Sequence, residues 1–143
     1  DLEAAPLLYD LLMEREGADT VNVSHRKLPS HQEHCDFVRN HPYAAWYIIF
    51  DKHVPVGSIY LTKPPRPSIA GNEIGVFVFK AYQRSGYARA AIQLVMEKHG
   101  PGRYLANVNP LNTASIDLFV SEGFNLCQYT FEKNHESADI RTA

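Results

Sequence analysis

At 143 residues the chain is sized for one domain, residues 1–143, with a single sizeable core. Its 45% hydrophobic and 21% charged content excludes a disordered chain, and a net charge of −2 excludes a chain-wide nucleic-acid surface. No apolar run approaches the roughly 20 residues that span a bilayer, and Asp1 and Glu3 do not suit the basic start of a signal peptide. Two cysteines, Cys35 and Cys127, are too few for a disulfide framework, so a reducing cytoplasm is the expected setting.

Leu7, Leu8, Leu11 and Leu12 recur at helical spacing, which predicts an amphipathic helix over 4–16 that Gly17 ends. Val21 and Val23 alternate and fit a short extended piece. Ser30 followed by Glu33 is a capping-box pattern that opens a second helix, stopped near Asn40 by His41-Pro42. Ala44–Phe50 and Val56–Thr62 flank the turn Asp51-Lys52-His53 and read as a hairpin. A proline-rich loop over 63–72 is long enough to border a site.

Glu73–Phe79 is a third strand. A polar loop follows, and then a helix with Ala88, Ile92, Val95 and Met96 on one face, closed by Gly100-Pro101-Gly102. Tyr104–Val108 reads as a short strand. A helix after Asn112 places Ile116, Phe119 and Val120 inward, and Phe124–Phe131 is predicted as the last strand. Residues 134–143 read as a polar tail. A hairpin followed by α/β alternation implies an α/β fold, a mixed sheet with helices on both faces.

The stretch 73–91 organises the rest. Gly86 and Ala88 are small enough for backbone to approach a ligand closely. A helix that starts there offers unpaired N–H groups and a positive dipole end to a phosphate. Positions 80–103 carry five basic residues and one acid, so this segment is net +4 and the remainder −6. No G-x-G-x-x-G opens the turn, which argues against a dinucleotide fingerprint. Glu73 is the one carboxylate on a strand otherwise made of Ile74, Gly75, Val76, Phe77, Val78 and Phe79. Burial would raise such a carboxyl toward neutrality, where a general base works well. A solvent-facing strand end is the alternative. His31, His34, Cys35 and His41 cluster in sequence, but one helical turn cannot enclose a tetrahedral ion, so no metal is expected.

Gln83-Arg84-Ser85-Gly86-Tyr87-Ala88 resembles the Q/R-x-x-G-x-G/A signature of the GNAT family of N-acetyltransferases. Asn109 through Phe124 is similar to that family's N-x-x-N-x-x-S-x-x-x-[YF]-x-x-x-G-F stretch. The element order also resembles the family's from about Ala4 to Glu132. One difference is the strand that usually precedes the first helix: either the sequence begins beyond it, or a neighbouring chain supplies that edge.

The resemblance implies a mostly antiparallel central sheet and transfer of an acetyl group from acetyl-CoA to a primary amine by direct attack. No cysteine in the motifs suggests an acyl-enzyme. It implies that Arg84, Ser85, Gly86, Tyr87, Ala88 and Arg89 hold the cofactor pyrophosphate. Phe77, Val78 and Phe79 would supply backbone contacts, with the Val78 N–H as oxyanion donor and Glu73 as general base. Asn112, Ser115 and Phe119 would line the pantetheine arm, Asn112 serving equally as a helix N-cap. Many relatives carry a tyrosine at the position of Phe119 to protonate the thiolate. Here Ser115, Tyr87, Tyr129 or solvent would fill that role. His25 and His34 are placed toward the acceptor pocket, and Trp46, Tyr47 and Tyr60 in core or groove wall.

The acceptor is a small-molecule or peptide amine; the lack of a broad charged face favours a small molecule. No nucleic acid or membrane partner is expected, and a homodimer would follow family habit. A CoA-binding sensor without turnover is the alternative.

Overall fold

The computed structural model describes residues 2–16, 28–63 and 71–136. The expectations for Val21, Val23, His25 and most of the proline-rich loop lie outside them. After a 3₁₀ turn at Leu2–Ala4 come α1 (Ala5–Glu16) and α2 (His31–Arg39). The strands β1 (Ala45–Asp51), β2 (Val54–Leu61) and β3 (Asn72–Val78) follow. A 3₁₀ turn at Lys80–Tyr82 leads to α3 (Tyr87–His99), β4 (Tyr104–Leu105) and α4 (Thr113–Ser121). Local signals set several boundaries. The Ser30 hydroxyl accepts from Glu33 N–H at 3.1 Å, and the Asn112 side chain accepts from Ser115 N–H at 3.2 Å.

The sheet order is β1-β2-β3-β4, antiparallel except for the parallel pair β3–β4. Side-chain alternation then sorts the core into two layers. Ile59, Leu61 and Ile74 pack under α3 with Ala91, Ile92 and Val95, and Phe119 of α4 joins them. On the other face Trp46, Ile48, Phe77 and Phe79 pack against Ala5, Leu8 and Leu11 of α1 and Val38 of α2. The mixed sheet with helices on both faces is the predicted fold class. The Glu14 carboxylate also accepts from the Lys80 N–H, tying α1 to the chain just past β3.

Three expectations need correction. Phe124–Phe131 forms no strand: it has no ladder partner among the described residues, and Leu126, Tyr129 and Phe131 are 72%, 74% and 90% exposed. Apolar alternation favours an extended chain, but a strand needs an edge to pair with. Tyr104–Val108 is a strand only at Tyr104–Leu105, because the chain then turns away from β3. Ile116 and Val120 face outward, whereas Phe119 is buried. The row Ser115–Leu118–Phe119 shares Phe119 with the predicted row, and α4 packs through that one.

Candidate active site

The early divergence of β3 and β4 builds the site. Thr62 N–H donates to Glu73 O, and Phe79 N–H donates to Val56 O, both at 2.9 Å. The odd-numbered residues of β3 thus direct their backbone groups at β2, and alternation turns Ile74, Val76 and Val78 toward β4. Yet β4 pairs only with Asn72 and Glu73. Past that point the strands part, leaving the Val76 and Val78 N–H groups facing the opening. Of the three residues expected to give backbone contacts at the end of β3, the Phe77 and Phe79 amides turn to β2, and the Val78 N–H lies on the β4 side, with Val78 itself 7% exposed. The Val78 carbonyl is held by the Gln83 side-chain amide at 3.0 Å, which couples this strand end to the loop before α3.

A cleft of about 580 Å³ passes through the opening. On one side it is walled by Asn107, Val108, Asn109, Asn112, Ser115 and Phe119, and on the other by residues of α1, α2, β1 and β2. Glu73, Gly75 and Phe77 lie between. Asn112 spends its side-chain oxygen on the α4 cap, so its NH₂ is the part that can meet a ligand. The cap reading of Asn112 is met by this bond, which leaves room for the cofactor-contact reading.

Tyr60 is a wall residue with an unusual support. A Cβ on Gly75 would stand 1.9 Å from the Tyr60 ring, so only glycine lets the phenol lie across β3. Tyr43 stacks on that ring, centroids 4.0 Å apart and planes 7° apart. The two hydroxyls interact as well, and burial raises both phenols above the ordinary tyrosine range, the Glu73 charge adding to the effect. Both remain protonated at neutral pH. Sequence reasoning put Tyr60 in core or groove wall but missed its stack on Tyr43; a glycine inside an apolar strand was the signal for a close approach. Tyr47, by contrast, lies on the α3 face, hydrogen-bonded to His99 at 2.8 Å.

The loop before α3 has the shape of an anion cradle. Arg84 and Gly86 have φ of 63° and 84°, and left-handed residues in a turn aim successive N–H groups into one concavity. Arg84 adopts this region without glycine's freedom, a strain of the kind found where backbone holds a ligand. Gly86 caps α3, and nothing stands within 4 Å of where its Cβ would be. Arg84 and Ser85 are exposed beside it, with Tyr87 and Ala88 half-buried in the first turn of α3.

Two side chains in this segment are engaged elsewhere. The Arg89 guanidinium bonds Glu122 at 2.6 Å and Ser121 at 2.8 Å, tying α3 to α4. The Tyr87 hydroxyl bonds Asp51 at 2.6 Å. Of the hydroxyls weighed as proton donors, Ser115 stands on the cleft and Tyr129 is exposed on the C-terminal stretch. Among the described residues, no group of three or more His, Cys, Asp or Glu is placed to hold a metal ion, and no helix is long and apolar enough to cross a membrane.

The fold recurs in solved structures. Ribosomal-protein-alanine N-acetyltransferase from Brucella melitensis superposes with a TM-score of 0.71 at 20% identity, covering 90% of this chain and 83% of that one. YncA from Salmonella typhimurium, solved with acetyl-CoA, gives 0.71 at 17% identity over 87% and 75%. RimL, a ribosomal L7/L12 α-N-protein acetyltransferase solved with coenzyme A, gives 0.70 at 19% over 90% and 78%. No curated protein is matched significantly by sequence. The acetyltransferase (GNAT) family model matches residues 6–124, most of the chain and every element around the cleft, and the chain belongs to that family.

Proposed function

We propose that the chain is an acetyl-CoA-dependent N-acetyltransferase acting on a primary amine by direct attack. The observation that carries this reading is the single cleft in which the open edge of β3, the α4 cap and Glu73 stand together. The residues present fit the cofactor. The left-handed turn at Arg84–Gly86 and the start of α3 suit a pyrophosphate, and Asn112, Ser115 and Phe119 line the path of the pantetheine arm. Bound there, acetyl-CoA supplies the thioester carbonyl that the amine attacks.

The chain's own groups then have distinct tasks. The Val78 N–H hydrogen-bonds the carbonyl oxygen as charge develops on it. Glu73, half-buried in the cleft, takes the proton from the incoming ammonium, directly or through one water. Phe119 excludes water and packs on Phe124 at 5.1 Å; with no hydroxyl of its own, it leaves thiolate protonation to Ser115 or solvent. Arg89 acts on the cradle through its hold on α4, with its charge shared by Glu122. Both cysteines are free, which suits a reducing cytoplasm.

A panel of primary amines with thiol release as readout tests the reading, with Glu73→Gln beside the parent. Turnover should fall by about 10²-fold or more in the variant while acetyl-CoA binding stays unchanged. A parent that binds acetyl-CoA but acetylates no amine would favour a sensor instead.

A further inference from the structure

Among the described residues, two buried polar atoms in the cleft wall have no hydrogen-bond partner: His34 Nε2 and Trp46 Nε1. Folded proteins rarely leave such atoms unpaired, because each then carries its full desolvation cost. His34 is 5% exposed, and its imidazole donates to the Ala5 backbone carbonyl, a bond that uses the Nδ1–H. Burial, with the neighbouring His31, disfavours the charged ring. The neutral ring therefore leaves a lone pair at the buried Nε2, which needs a donor. Trp46 Nε1–H can only donate and needs an acceptor.

Both residues line the same cleft. Phe37, one helical turn after His34, lies edge-on to Trp46 with ring centroids 6.0 Å apart. This wall of the cleft, opposite the α4 cap, thus lacks one donor and one acceptor among the described residues.

We propose that His34 and Trp46 receive a neutral amide carried by the acceptor amine. The amide C=O accepts from Trp46 Nε1–H, and the amide N–H donates to His34 Nε2. The acceptor class is then an amine bearing an amide, as in an amino-acid amide or the amino terminus of a peptide. A carboxylate in the same place satisfies Trp46 but sets an acceptor oxygen against the His34 lone pair. A bare hydrocarbon satisfies neither atom. The inference rests on reading the cleft as the acceptor site, and it deepens that reading by naming what must accompany the amine.

Trp46 is the single tryptophan, so its emission reports occupancy of this site without any turnover. The protein, in the presence of coenzyme A, is titrated with phenylalanine amide, phenethylamine and phenylalanine. The amide should bind about tenfold more tightly than the amine, with phenylalanine weakest. His34→Phe should bring amide and amine within about twofold of each other. His34→Gln, whose side-chain oxygen still accepts, should keep part of the preference and serves if the phenylalanine variant does not fold. Phe-Gly-Gly amide separates the two sources of the same chemistry: tighter than phenylalanine amide means a peptide terminus, weaker means a single residue.

Equal affinity for all three small ligands, tightest binding of phenylalanine, or an amide preference that survives both substitutions overturns the proposal. Thiol release keeps the two readings apart. Acetylation of amines without amide preference leaves the enzyme and removes this inference. Amide preference without acetylation of any amine does the reverse.

Discussion

Gly75→Ala is the most informative change in the cleft wall. The new Cβ would stand 1.9 Å from Tyr60 Cζ, 2.2 Å from Cε1 and 2.3 Å from the hydroxyl oxygen. Ordinary contact begins near 3.5 Å, so the ring must retreat by about 1.5 Å. The Tyr60 backbone cannot follow, because β2 is paired on both sides, with β1 at Trp46 and with β3 at Gly75. The ring must therefore swing and leave its stack on Tyr43. Overpacking costs about 1–3 kcal/mol and the lost stack about 0.5–1.5 kcal/mol. Alanine returns up to about 1 kcal/mol by stiffening the unfolded chain, so the net loss is about 2 kcal/mol. In a Tyr60→Ala background no ring is present to strike, and the same alanine should cost about nothing. Urea unfolding of the parent, both single variants and the double variant, followed by Trp46 fluorescence, measures a coupling of about 2 kcal/mol. Additivity within about 0.5 kcal/mol would refute the close approach of Tyr60 to Gly75 and the wall built on it.

Other residues give independent tests. Asn112→Ala should lower stability by about 1 kcal/mol through loss of the α4 cap, and should shrink the melting shift caused by acetyl-CoA. Asn112→Asp keeps the cap oxygen but removes the NH₂, so its own stability should hold while the ligand-induced shift falls; a full shift in the aspartate variant contradicts the ligand role. His34 makes stability depend on pH. Its folded pKa lies below the ordinary 6.5, so its contribution is complete above pH 6.5 and is lost as pH falls through the folded value. The stability gap between the parent and His34→Gln, measured by urea unfolding, should move against the parent between pH 7.5 and 5. A constant gap would mean that folding leaves the His34 pKa unshifted, and a gap that moves toward the parent would mean that the fold favours the charged ring.

Where the sequence was legible, the determinants were local. Ser30 with Glu33 and Asn112 with Ser115 set helix starts across three residues, and a strand, a glycine and a helix within nineteen residues announced the cradle before α3. Errors arose where a distant segment decides. Phe124–Phe131 has the alternation of a strand, but no edge is there to pair with it. Tyr104–Val108 is cut short by the same divergence from β3 that opens the cleft. Arg89 sits in sequence beside the cradle, yet its guanidinium is drawn to Glu122, 33 residues on. Gly75 passed as one more residue of an apolar strand, and nothing in the sequence names Tyr60 as the ring that requires a glycine there. His34 was placed toward the acceptor side because helices border it; the unpaired Nε2 that makes it informative appears only in three dimensions.

The most direct test of the account is a thermal melt with and without acetyl-CoA, on the parent, Gly86→Glu and Gly86→Asn. Ligand that binds only the folded state must raise the melting temperature, by a free energy of about 2.7 kcal/mol at one hundred times Kd. Asparagine tolerates the left-handed backbone that Gly86 adopts, so it controls for strain alone, whereas glutamate also sets a negative charge at the start of α3. The account predicts a clear rise in the parent, a rise largely kept by the asparagine variant, and none in the glutamate variant. A well-folded parent whose melting temperature does not move with acetyl-CoA would contradict it.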